Sequence, residues 1–137
     1  MTISLPTKPL LTMEAVRLIA DAAAKEAAKQ NLMMAFAIVD DGGHLLYFAR
    51  MSEKLSPAAV DSAITKAHSA AMFRRATASW EEAAKDRLVV MKIPNVMPLG
   101  GGVPLMSNGV CVGAIGASGS SAAKDDEIAK VAAQALG

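Results

Sequence analysis

Three side chains hold most of the acid–base and anion-binding chemistry open to this 137-residue sequence: Arg50, Lys66 and His68. An imidazole titrates near neutrality, so His68 could act as a general base or ligate iron through a ring nitrogen. It stands four residues after Ile64 and four before Met72, on the apolar edge of a helical pattern, where a hydrogen-bonded core histidine is the competing role. Arg50 closes a strand-like run with Met51 beside it, and Lys66 lies off the apolar stripe of its helix, where a cation can reach a carboxylate. For either, the alternative is an ordinary ion pair with Asp40, Asp41 or Asp61. The glycine triplet Gly100-Gly101-Gly102 adds weight to ligand binding by this cation pair, since clustered glycines let backbone amides approach an anion or oxyanion. It suits equally a hairpin approach that needs unrestricted φ. The expected site is a pocket between the 93–102 loop and the helix bearing Lys66 and His68, with His68 facing or bordering it.

Several other chemistries are excluded by residue type and spacing. Gly-Lys-Ser/Thr is missing and no Gly-x-Gly-x-x-Gly opens a helix, so the triplet is no nucleotide-phosphate loop. There is no nucleophile elbow or catalytic triad spacing, and the pairs Asp40-Asp41 and Asp125-Asp126 fall in turn and helix-cap contexts. Cys111 sits in an apolar run and is expected to be a small core residue. His44 follows a turn and is expected at the surface, and no Cys/His spacing suits zinc, so no bound divalent metal is expected. Ser118-Gly119-Ser120-Ser121 could cradle an anion, but Asp125, Asp126 and Glu127 would repel one, which leaves helix capping as its expected role. A net charge of +1 without a long basic run argues against nucleic acid. No segment has the length of a membrane span or the pattern of a signal peptide, so a cytoplasmic placement is expected.

Elements able to position these residues are legible in the periodicities. Thr12 caps a helix with apolar Val16, Ile19, Ala20, Ala23 and Ala27, ending near Asn31. Ala35 to Val39 reads as a buried strand, and Asp40-Asp41-Gly42-Gly43 turns it back through Leu45 to Phe48. Ser56-Pro57 opens a helix with the stripe Val60, Ile64, Ala67, His68, Ala71, Met72, stopping near Arg75. Ser79 and Glu82 match a capping box for a third helix over 80–90, whose end is ambiguous because Leu88 to Met91 is equally strand-like. Pro94, Pro98 and Pro104 make 93–102 a loop, Ser107-Asn108-Gly109 joins two strands, and a helix from about Ala123 closes the chain. This order implies an α+β fold, an antiparallel sheet flanked by helices, in one domain spanning 1–137 with residues 1–10 as a flexible arm.

Five pieces in one order, Val39-Asp40-Asp41-Gly42-Gly43-His44-Leu45, Arg50-Met51, Lys66-Ala67, the segment from Pro98 to Pro104, and Val110 to Gly119 followed by Asp125-Asp126, resemble the GlcG/HbpS-like family. That family includes the C-terminal domain of PduO proteins, and the resemblance runs from about Leu11 to Leu136. It implies a profilin-like antiparallel sheet of about four to five strands packed with helices, assembly into homo-oligomers, and haem or another small anionic ligand. On its terms Arg50 and Lys66 occupy recurrent family positions; with His68, which its own chemistry singles out, they are the expected reactive residues, and Asp40, Met97, Gly100, Gly101 and Gly102 are expected to line the ligand. The family pattern Lys-Ala-x-Thr-Ala usually places a varied, often aromatic residue where His68 stands, and Ser69 replaces its threonine. An alternative function is a cofactor-independent enzyme of small-molecule catabolism, using Arg50, Lys66, His68 and the glycine loop for proton transfer, isomerisation, elimination or hydration.

Overall fold

The computed structural model describes residues 1–137. Its elements run α1 (Met13–Lys29), β1 (Ala35–Asp40), β2 (Leu45–Arg50), α2 (Pro57–Phe73), α3 (Ala78–Asp86), a 3-10 turn at Leu88–Lys92, β3 (Gly102–Ser107), β4 (Val110–Ser118) and α4 (Ala122–Ala133), with a last 3-10 turn to Leu136. Four antiparallel strands in the order β2-β1-β4-β3 form the sheet, at the lower end of the expected count.

Local chemistry sets most boundaries. Thr12 Oγ1 accepts from Ala15 N at 3.2 Å and starts α1, and Ser121 Oγ accepts from Lys124 N at 3.2 Å and starts α4. At the β1–β2 turn Asp40 Oδ1 accepts from Gly42 N and His44 N, both at 2.9 Å, and Gly43 takes φ +82°. Asn108 and Gly109 supply the two positive φ values, 49° and 78°, of the β3–β4 hairpin.

The sheet separates two apolar layers. On one face Phe36, Ile38, Ile115 and Ala117 meet Val16, Ile19 and Ala23 of α1 and Ile128, Ala129 and Ala132 of α4. On the other, Ala35, Ala37, Val39 and Ala114 meet Ala63, Ala67, Ala70 and Ala71 of α2. Because β1 is covered on both faces its side chains are continuously apolar, as its sequence suggests.

Two expectations are corrected here. The buried face of α2 consists of Ala59, Ala63, Lys66, Ala67, Ser69, Ala70 and Ala71, while Val60, Ile64, His68 and Met72 lie only half-buried at its flanks. The helix sits too close to the sheet for large side chains: a Cβ on Gly116 of β4 would come within 2.0 Å of the Ala63 carbonyl oxygen. Ser79 does not cap α3, since its hydroxyl donates to Ala76 O at 2.6 Å and accepts from Arg75 Nε at 2.8 Å. The helix starts after Thr77 and ends at Asp86, and the ambiguous Leu88 to Lys92 segment forms a 3-10 turn.

Candidate functional site

Lys66 is not a free cation. Its side chain is 3% exposed and its ammonium donates to Asp125 Oδ2 at 2.9 Å and to Ala117 O at 3.2 Å. The partner is thus Asp125, rather than Asp40, Asp41 or Asp61, and it arrives from α4, which closes over the same end of the sheet. Asp125 Oδ1 accepts from Ser120 N at 3.0 Å. Burial pushes the Asp125 carboxyl above the ordinary carboxylate value, against the opposing pull of Lys66 and the Ser120 amide. Sequence spacing held one missed signal: Ala59, Ala63, Lys66 and Ala70 form a stripe of period three to four, which puts an ammonium in a face of alanines and demands an acid opposite.

The glycine triplet packs onto this pair. A Cβ on Gly101 would stand 2.9 Å from Lys66 Nζ, and one on Gly102 would stand 2.2 Å from Lys66 O. Gly100 N donates to Glu81 Oε1 at 2.7 Å and Gly102 N to Thr77 Oγ1 at 2.9 Å. Thr77, which the sequence did not single out, ties the loop down twice, because its own N–H also donates to Gly102 O at 2.9 Å. Met97 is held through its backbone N–H, which donates to Ser69 Oγ at 3.1 Å. A shallow cleft of about 240 Å3 does open beside Gly100, but Glu81, Glu82 and Asp126 line it. Its acidic wall disfavours an anion.

His68 lies two positions from Lys66, about 200° around the helix. Its Nδ1 is 3.1 Å from Gly43 O at the β1–β2 turn, and a Cβ on Gly43 would stand 2.6 Å from that nitrogen. The imidazole therefore braces the hairpin, at the end of β1 remote from Lys66. Asp40 belongs to the same turn: desolvation raises its carboxyl, but the His44 and Gly42 amides and the His44 ring outweigh that and hold it below the ordinary value. His44 is exposed, with Nδ1 3.3 Å from Asp40 Oδ1, and Asp41 pairs with Lys8. Replacing His68 by alanine is expected to cost about 1–2 kcal/mol in thermal or urea unfolding through the lost bond and packing. A larger change in ligand affinity than in stability would overturn this bracing role.

Arg50 is the exception. Exposed at the end of β2, it enters none of the six ion pairs of the molecule. It pairs in register with Ala35, which pairs in turn with Ser118. Residues aligned across a sheet project from the same face, so Arg50, Ala35 and Ser118 all point to the α2 side. There a cleft of about 280 Å3 is lined by Ser56, Ala58, Ala59 and Ser62 of α2 and its cap, and by Ser118, Gly119 and Ser120. The structure thus separates the three reactive candidates: Lys66 is enclosed, His68 braces the far turn, and Arg50 stands free. The largest cleft, about 450 Å3 between α1 and the C-terminal turn, contains none of them. Cys111 is buried, its thiol 3.3 Å from Gly113 O, and no helix is long and apolar enough to cross a membrane.

Comparison with known proteins adds to this geometry. The family model described as haem degrading protein HbpS-like matches residues 11–134. Protein GlcG of Escherichia coli is 38% identical over 113 residues, covering 82% of this chain and 84% of that protein. A crystal structure of Streptomyces reticuli HbpS, a double mutant, superposes with a TM-score of 0.87 at 30% identity, over 97% of this chain and 91% of that one. A crystal structure of a PduOC:haem complex superposes with a TM-score of 0.82 at 24% identity, over 93% and 95% of the two chains, and shares the fold.

Proposed function

We propose that this chain, which belongs to the HbpS-like family, is a small-ligand-binding protein and that its ligand is a compact anion. The carrying observation is Arg50, an exposed guanidinium with no protein partner that shares a sheet face with a serine-lined cleft. A guanidinium is charged at every physiological pH and presents paired donors to carboxylate or phosphate oxygens. Lys66 contributes indirectly, by neutralising Asp125 beneath the cleft.

The family description brings haem as a second ligand class. Haem iron needs an axial His, Met, Cys or Tyr. None of the four clefts is lined by such a side chain, and the one half-buried imidazole, His68, has a ring nitrogen against Gly43 O. The residues present do not build an enclosed haem site within one chain. Self-association belongs to the same proposal, supported by the exposed Leu88, Val89, Met91 and Ile93 on one short segment. An enzyme that converges Arg50, Lys66 and His68 on one substrate has no support in this geometry, because Lys66 is enclosed and His68 occupies another end of the sheet.

Titration with hemin separates the two ligand classes. A compact-anion protein should give only the non-saturating absorption of free hemin. A saturable, shifted Soret band at one haem per chain or per pair of chains would overturn the compact-anion function in favour of haem.

A further inference from the structure

We propose that the serine-lined cleft at the N-terminus of α2 is an anion-binding site for a small carboxylate or phosphate, with Arg50 as its cation. The proposal rests on the compact-anion function and deepens it by assigning the atoms that would hold the ligand.

Three features point to this place. Ser56, the N-cap of the 17-residue α2, makes no side-chain capping bond, and Pro57 follows it, so the partial positive charge of the helix end and a free hydroxyl face outward together. Ser118 is 7% exposed and lines the cleft. Its neighbours are committed: Ala117 O accepts from Lys66 Nζ, Ser120 N donates to Asp125 Oδ1, and Ser121 Oγ caps α4. The Ser118 hydroxyl makes no hydrogen bond within the protein and reaches solvent where the residue lines the cleft. Ser62, one helical turn on from Ala58 and Ala59, adds a third hydroxyl on the same wall.

Charge balance favours an anion here, contrary to the expectation from sequence. Asp125 lies under Ser120, but Lys66 neutralises it, and Asp126 is paired with Lys130 at 2.7 Å and lines the other cleft. Arg50 is two strands from Ser118 in the same row, on the order of 10 Å between backbones at the usual strand spacing. Arg50 is not among the residues that line the cleft, and its long side chain has to lean across the sheet face, over Ala35, to bring the guanidinium to a ligand seated there. The about 280 Å3 of the cleft suits a compact anion of a few heavy atoms. Hydroxyls around it would also pair with hydroxyl groups on the ligand, which suits a hydroxycarboxylate.

The test is a titration of the isotope-labelled protein with inorganic phosphate and, separately, with lactate, following backbone amide resonances. Saturable shifts are expected at Ala58, Ala59 and residues 118–120, and the tighter of the two probes identifies the ligand class. Arg50→Gln and Ser118→Ala should each weaken that binding about tenfold while leaving the thermal midpoint and circular dichroism unchanged. If the wild type saturates with either probe but the shifts map elsewhere, or both variants bind as it does, the site is wrong and the compact-anion function stands. If the wild type saturates with neither probe and takes up hemin stoichiometrically, the function itself is wrong, and the site with it.

Discussion

Lys66→Met is expected to lower the unfolding free energy by about 3–5 kcal/mol at neutral pH, because it leaves a carboxylate uncompensated in a site where Asp125 is 2% exposed. Urea denaturation at several pH values reads both the size and the cause. Asp125 already has a raised carboxyl in the intact pair, and removing Lys66 takes away the influence that opposes burial. A group whose folded-state value is raised contributes stability below its unfolded value, and that contribution is lost as pH rises through the folded one. The deficit of Lys66→Met should therefore shrink as pH falls through the raised Asp125 value, where the buried group becomes a neutral acid. Lys66→Met combined with Asp125→Leu should recover most of the loss, since a buried pair exchanged for apolar side chains of similar volume is often neutral. A loss under about 1 kcal/mol, the same at every pH, would show that water reaches the pair and that its enclosure is wrong.

Gly116→Ala is the second large effect, about 3 kcal/mol, at the upper end of the cost of overpacking. Its Cβ would meet the α2 backbone at two positions one turn apart, 2.0 Å from Ala63 O and 2.6 Å from Ala67 N, and neither can rotate away. Helix α2 would have to lift off the sheet along its length, loosening the alanine layer and the Lys66 enclosure together. Gly109→Ala is the control: its Cβ meets nothing within 4 Å, so only the φ of +78° is strained and about 1 kcal/mol is expected. Equal thermal shifts in the two variants would mean that the sheet and α2 are less closely packed than described.

These contrasts show where sequence reasoning reaches. Short-range signals were legible because their physics is local: Thr12 before α1, Pro57 opening α2, the Asp40 to Gly43 turn and Asn108-Gly109 all act within four residues. From that order of elements the antiparallel α+β arrangement followed, and five motifs in sequence pointed to the HbpS-like family. Ser79 misled because a capping box specifies types that other local bonds also satisfy, and here the hydroxyl turned to Ala76 O.

The site was different, since it depends on which surfaces meet. The glycine triplet suited a ligand cradle and a close backbone approach equally, and folding set it against Lys66, because only residues without a Cβ can pass that close to a helix backbone. Lys66 and Asp125 are 59 residues apart, and nothing local couples them. The segment Ser118 to Ser121 looked too acidic for an anion until α4 docked and turned Asp125 inward onto an ammonium. Arg50 and Ser118 came to share a face only through the intervening register of Ala35. By itself the sequence determined the elements and the residue types available for chemistry. Charge pairing and cross-strand register, which the tertiary structure alone decides, enclosed one cation and left the other free on the sheet face that carries Ser118.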